Sequence, residues 1–203
     1  LVTARSYPFL QPVLKKLRIH KGYVVVNNGS HVVNLENHIV LYDQPMDKKD
    51  AEEVIEILRE EQVPFFLKQH LYHDSYSNSY SEKKAPQTSY MFYTDDIYSS
   101  KKMDTIAQRL SHLSNLSVYK TKHKKGHGLN VQHASATKLH GIEVVMKKLS
   151  LKKAETIGVG DSYNDFPLLM CCGLKVAMGN ANDDLKAIAD YIAPSVEDDG
   201  VAD

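Results

Sequence analysis

The chain has 203 residues, 42% of them hydrophobic and 25% charged, with 25 basic and 25 acidic side chains in formal balance. That suits a globular protein with one sizeable core plus an inserted or second small unit. The balance excludes a generic nucleic-acid surface, which needs a basic excess. No apolar run approaches the roughly 18 residues of a membrane span.

Residues 1–3, Leu-Val-Thr, read as the end of a buried strand, so the natural protein is expected to extend upstream of Leu1. Residues 7–17 carry Phe9, Leu10, Val13, Leu14 and Leu17 at helical spacing, with Pro8 in the first turn. Residues 23–26 form a short apolar strand, and Asn27-Asn28-Gly29 stops it with turn chemistry. Val32-Val33 and Ile39-Val40-Leu41 flank Glu36-Asn37 as a hairpin.

The middle has a different character. Asp47 is placed to cap a helix running to about Glu61, with Ala51, Val54, Ile55 and Leu58 on one face. Strands are predicted at 65–67, 91–94, 116–119 and 129–133, and a helix at 100–113. Residues 70–90 and the basic stretch 120–128 are predicted as loops. Two strand–helix units joined by long loops make an inserted αβ domain. The expected division is a first core part at 1–35, an inserted α+β unit at 36–130 and a second core part at 131–203.

From Lys138 the strand–helix alternation returns. A helix at 139–149 turns Ile142, Val145, Met146 and Leu149 inward, and residues 156–159 form a buried strand. A helix starts over 164–170, a strand follows at 176–178, a helix at 183–190 and a last strand at 191–193. Adjacent Cys171 and Cys172 rarely meet disulfide geometry and are expected as reduced core thiols of a cytoplasmic protein. No second cysteine pair exists to complete a thiolate metal site.

The chemistry concentrates in Gly160-Asp161-Ser162-Tyr163-Asn164-Asp165, where an apolar run delivers carboxylates and amides into a new helix. Such residues are poor helix-interior material and good ligands for a hard cation or a phosphate. Thr3 ends the first strand, Asn28-Gly29 ends the second and Lys138 opens a helix. In a doubly wound sheet the strand carboxyl ends converge on one crevice, so these distant positions can meet. A hydroxyl, an ammonium, carboxylates and amides together describe a phosphoryl-transfer site. Ordinary helix capping explains Asp161, Asn164 and Asp165 singly, but not the distant partners.

With the order and spacing of these motifs, the chain resembles a haloacid dehalogenase-like phosphatase of the Cof-type branch with a large αβ cap. Thr3-Ala4-Arg5, Asn28-Gly29, the 160–165 cluster, the 173–181 run, Ala189-Asp190-Tyr191 and residues 197–202 carry the resemblance. It implies a doubly wound, Rossmann-like α/β core with an inserted α+β cap, Mg²⁺ as cofactor, and a small phosphate ester as substrate, such as a sugar or cofactor phosphate. It implies that Thr3 binds the transferring phosphate and that Lys138 holds phosphate and nucleophile oxygens. Asp161 is implied as a Mg²⁺ ligand, Asp165 as a second ligand or an outer support, and Asn164 as a contact to phosphate or a metal-bound water. The resemblance implies that Arg5, Asn28 and Asn180 line the crevice.

The branch's nucleophile is the first Asp of Asp-x-Asp-Gly-Thr, and that motif does not occur in the 203 residues. The phosphoaspartyl nucleophile is therefore expected upstream, and the chain as given is expected to be inactive. The alternatives left open are an inactive fragment or phospho-ligand-binding pseudoenzyme of the same fold, and a phosphotransferase or mutase. The pairs His70/His73 and His123/His127 have metal-compatible spacing but read as loop histidines. Tyr72, Tyr76, Tyr80, Tyr90 and Tyr93 read as cap surface or substrate-facing residues.

Overall fold

A computed structural model of the protein describes residues 1–69, 71, 87–123 and 125–202. His70, His73, Tyr72, Tyr76, Tyr80 and most of the predicted 70–90 loop lie outside the described residues.

Residues 1–3 run parallel to β1 (Tyr23–Val26). Val2 bridges Val25, and the Thr3 N–H donates to the Val25 carbonyl at 2.9 Å. Between them α1 (Tyr7–Lys16) opens on Pro8 and lays Tyr7, Leu10 and Leu14 onto Val24, Val26 and Val33. Strands β2 (His31–Asn34) and β3 (Val40–Asp43) continue from β1 as an antiparallel meander, as the hairpin reading expects.

Helix α2 (Lys48–Glu60), β4 (Phe65–Lys68), β5 (Met91–Thr94), α3 (Ser100–Leu110), β6 (Leu116–His123) and β7 (Gly126–His133) form the α+β unit. Its antiparallel sheet has the order β4-β5-β7-β6. Side chains alternate across a strand, so Phe65, Leu67, Phe92, Leu129 and Val131 face α2 and α3 and join Val54, Leu58, Met103 and Ile106 in one core. The opposite face is aromatic and polar, with Phe66 stacked on Tyr93 at 5.0 Å.

The chain then returns through α4 (Lys138–Leu149), β8 (Ile157–Gly160), α5 (Phe166–Cys171), β9 (Leu174–Ala177), α6 (Asp183–Ile188) and β10 (Tyr191–Ile192). Strands β8, β9 and β10 pair in parallel, and α5 and α6 cover one side through Leu168, Leu169, Cys172 and Leu185. The fold is α/β, with a doubly wound parallel core and an inserted α+β unit. Strand β3, on the inserted side of a 35/36 division, hydrogen-bonds to β2, and β7 crosses 130/131. No described helix is long and apolar enough to cross a membrane.

Several expectations need correction. Residues 120–123 and 126–128 of the basic stretch are strand rather than loop, because β6 and β7 pair as far as His123 and Gly126. Lys120 reaches Ser100 at 2.8 Å and Asp104 at 2.6 Å on α3. Strand β8 is not buried on both faces: Ile157 is 66% exposed and Val159 39%. It is an edge strand covered on one side by α5, and no hydrogen bond joins it to residues 1–3. Leu149 is exposed at the last turn of α4. Helices α3 and α6 stop at Leu110 and Ile188, short of the predicted 113 and 190. Asp47 stands at the N-cap of α2 but makes no side-chain cap bond. Tyr90 is not on the surface; it is buried against His31, ring centroids 4.3 Å apart.

His31 sits where β2 and β3 meet this unit. Asn27 Nδ2 lies 3.2 Å from its Nδ1, while Nε2 faces Asp43 at 3.4 Å without a hydrogen bond. Burial pushes the imidazole from 6.5 to about 4, with Asp43 opposing and Lys68 adding to the drop. Between those values the unfolded chain takes up a proton that the folded chain refuses. Stability is therefore complete above pH 6.5 and declines as pH falls toward 4. Urea unfolding across that window should show the decline, by a few kcal/mol at most, and His31→Gln should flatten it.

Gly29 has φ of +113°, and a Cβ there would lie 2.0 Å from the Thr137 carbonyl oxygen at the start of α4. Gly29→Ala should cost about 2 kcal/mol or more in the same assay, because strained backbone and a steric clash add.

Candidate active site

The turn Asn27-Asn28-Gly29 is an unusual backbone device. Asn27 and Asn28 both have positive φ, 49° and 59°, which asparagine tolerates better than most residues. With Gly29 packed against Thr137, the turn fixes the N-terminus of α4, whose first residue is Lys138.

Lys138 is 5% exposed and Asp165 is 6%, and the Lys138 ammonium donates to Asp165 Oδ1 in a short buried ion pair. The other carboxylate oxygen, Oδ2, accepts the backbone N–H of Asp161 at 3.0 Å and of Ser162 at 3.1 Å. Asp165 can fold back this way because residue 160 is glycine: a Cβ there would lie 2.5 Å from Asp165 Cβ. The result is a rigid loop at the carboxyl end of β8, pinned to the start of α4.

Around this pair the structure brings most of the predicted residues together. Asn164 Nδ2 donates to Asn28 Oδ1 at 3.1 Å. Asn28 Nδ2 donates to Tyr119 Oη and to Gln132 Oε1, both at 2.8 Å. The Asn28 N–H donates to the Thr3 carbonyl at 3.0 Å, and Thr3 Oγ1 accepts the Arg5 N–H at 3.1 Å. Asp161 keeps its carboxylate exposed, with Asn180 Nδ2 at 3.4 Å from Oδ2. Asn180 in turn accepts the Val196 N–H at 3.0 Å. Arg5 is exposed and lines the outer part of the crevice rather than the ion pair. Lys147 and Lys148 lie exposed at the far end of α4.

The polar face of the four-stranded sheet roofs the site. A cavity of about 260 Å³ runs between Ala4, the 162–164 loop and a wall that includes Tyr93, Tyr119, Asn130 and Asp96. It adjoins a wider cavity of about 550 Å³ bordered by Arg5, Phe9 and Lys68. Lys68 Nζ donates to the Ala4 carbonyl at 2.7 Å and ties the roof to the loop after Thr3. Burial pushes the Tyr119 phenol up, Asn28 pulls it down, and the nearby Asp165 charge raises it further, so Tyr119 stays neutral.

Tyr119, Gln132 and Asn130 were not visible as site residues in the sequence. Their signal was the period-two alternation of 116–121 and 128–133, which places Ser117, Tyr119 and Thr121 on one face with Asn130 and Gln132. The lysine-rich run obscured it.

Among the described residues no group of three or more His, Cys, Asp and Glu could hold an ion on protein ligands alone. That suits Mg²⁺, which keeps several waters and binds through one or two carboxylates plus phosphate oxygens. The exposed Asp161 carboxylate fits such an ion. Asp165, with both oxygens already engaged, fits the supporting role better than direct ligation.

A family model described as haloacid dehalogenase-like hydrolase matches residues 1–203. Phosphatase YwpJ of Bacillus subtilis is 27% identical over 195 residues, covering 94% of this chain and 66% of the relative. Phosphoglycolate phosphatase 1 of Saccharolobus solfataricus is 41% identical over 76 residues, covering 37% of this chain and 33% of the relative. The matched part of the chain thus spans from one third to just under two thirds of these two relatives. A solved haloacid dehalogenase-like hydrolase from B. subtilis superposes with a TM-score of 0.83 at 22% identity, covering 99% of this chain and 84% of that one. A subclass IIB sugar phosphatase of the same superfamily gives 0.78 at 18% identity, over 99% and 81%. The chain belongs to the haloacid dehalogenase-like hydrolase family.

Proposed function

We propose that the protein hydrolyses small phosphate monoesters, a sugar phosphate or a cofactor phosphate, with Mg²⁺ at the crevice between the 161–165 loop and the four-stranded sheet. The observation that carries this reading is the buried Lys138–Asp165 pair, seated beside an exposed Asp161 and the Asn28–Asn164 contact. It places a fixed positive charge, an available carboxylate and amides where strand carboxyl ends open.

In this reading Thr3 and Lys138 hold the transferring phosphate, with Asn164, Asn28, Arg5 and Asn180 shaping its surroundings. Lys138 neutralises charge that grows on the phosphoryl oxygens, and Asp165 keeps its ammonium in place. Asp161 is the residue that would hold Mg²⁺, and Asp165 supports the loop behind it. When bound, Mg²⁺ adds electrostatic stabilisation of the phosphoryl oxygens.

The ester is cleaved through a phosphoaspartyl intermediate. A carboxylate oxygen bonds to phosphorus, the ester P–O bond breaks, and the departing alkoxide takes up a proton; water then hydrolyses the acyl phosphate. We assign the nucleophile to a segment outside residues 1–203, adjacent to the unpaired edge of β8. The 36–130 unit acts as a cap that excludes water and selects the leaving group. Free Cys171 and Cys172 fit a reducing, cytoplasmic setting.

Isothermal titration of the 203-residue chain with orthophosphate, with and without Mg²⁺, tests the reading. Binding should require Mg²⁺, and Asp161→Ala should weaken it at least about tenfold, a loss of about 1.4 kcal/mol. Asp161 makes no buried side-chain contact, so the variant should fold normally. Mg²⁺-dependent binding unchanged by Asp161→Ala would refute the assignment of that residue. Turnover of an aryl phosphate by the 203-residue chain would refute an external nucleophile.

A further inference from the structure

The hydrogen bonds around Asn28 have a direction. Gln132 is 1% exposed, and its Nε2 donates to the Ala136 carbonyl at 2.6 Å. A backbone carbonyl can only accept, so the Gln132 amide cannot be flipped, and Oε1 must face Asn28. That forces Asn28 Nδ2 toward Gln132 and leaves Asn28 Oδ1 to accept from Asn164. Asn28 is itself 3% exposed, and its amide is engaged on both sides, with Tyr119 sharing the donor end.

We propose that Asn28 is a positioning residue. Through this ordered amide relay, the seating of the β6–β7 ribbon and the orientation of Asn164 over the crevice are set as one event. The relay rests on the phosphate-site reading for its use, but its mechanical content does not. Tyr119 and Gln132 belong to the sheet that roofs the crevice, and Asn164 belongs to the loop beneath it. No hydrogen bond joins Asn164 directly to Tyr119 or to Gln132, so Asn28 is their shared partner. If the ribbon lifts, Asn28 loses the partners that fix its amide, and Asn164 loses the acceptor that fixes its own. If Asn164 is drawn elsewhere, the anchor under the ribbon weakens. A buried amide left without partners is costly, so the partly made relay is disfavoured relative to the complete one.

The left-handed backbone at residue 28 gives a clean variant. Asn28→Gly removes the amide and keeps a residue that tolerates φ of 59°. In the ligand-free chain, hydrogen exchange should accelerate in that variant across 117–121 and 129–133 and also across 161–165. Strand amides at 174–177 should keep their wild-type rates. Acceleration confined to the neighbours of residue 28 would overturn the relay.

The second arm is a double-mutant cycle of Tyr119→Phe and Asn164→Ala, read as orthophosphate affinity with Mg²⁺ present. Each single change should weaken binding by about five- to tenfold, the scale of one lost hydrogen bond. Together they should cost at least about threefold less than the product of the two, because either one already breaks the coupling. A merely structural role for Asn28 would move stability and leave the two effects multiplicative, which would overturn the proposal. Wild-type protein that fails to bind orthophosphate would sink the phosphate-site reading instead, and the exchange experiment would still decide the relay.

Discussion

The buried pair between Lys138 and Asp165 is the constraint on which the rest of the site depends. Removing two charges from water is expensive unless geometry and further hydrogen bonds compensate. Here the carboxylate has both oxygens engaged, one by the ammonium and one by two backbone N–H groups. Each partner is delivered by a glycine-enabled close approach. Gly29 lets the turn after β1 press against the first residues of α4, and Gly160 lets Asp165 fold over the end of β8. A side chain at either position would separate the charges. What remains would be an unpaired ion in a dry place, which costs more than the intact pair contributes.

The four-stranded sheet divides its labour by the pleat. One face is closed by α2 and α3 over Phe65, Leu67, Phe92, Leu129 and Val131. The other presents Tyr93, Tyr119, Asn130 and Gln132 toward the core, where hydrogen bonds rather than apolar contact do the joining. A polar joint of this kind can be broken and remade without exposing a large apolar surface. Outside this joint the helices are tied by charge at the surface: Glu61 meets Lys102 at 2.5 Å and Arg109 at 2.8 Å, and both cations hold its carboxyl below the usual range.

Local pattern made most of the elements legible. The helical stripe of Phe9 to Leu17, the amphipathic 48–60 segment and the turn at 27–29 all follow from spacing and backbone preference. The 160–165 cluster was legible as chemistry because carboxylates and amides crowd a strand end. Two kinds of information were not local. The lysines of 120–125 suggested a solvated loop, yet strand pairing of 120–123 with Gly126 to Leu129 decided the conformation of Lys120 and Lys122. Ile157 and Val159 looked like a buried strand because apolar residues alone cannot say whether both faces of a strand are covered. The roles of Tyr119 and Gln132 depend on a partner about a hundred residues away, and no window of sequence contains it.

That distance matters to how the site comes together. Lys138 and Asp165 lie 27 residues apart, but Asn28 is separated from Gln132 by 104 and from Asn164 by 136. Closing such long loops costs entropy that local contacts cannot offset, so these bonds form only when the surrounding sheets already exist. The meander of β1 to β3 and the parallel strands β8 to β10 must each be in place before Asn28 and Asn164 can meet. The amide relay therefore forms late, once the sheets exist, and then ties the ribbon to Asn164. Its bonds report whether the two sheets and the ribbon above them have docked in register. The Asn28–Gln132 and Asn28–Asn164 bonds therefore join stretches of the chain that no local segment holds together.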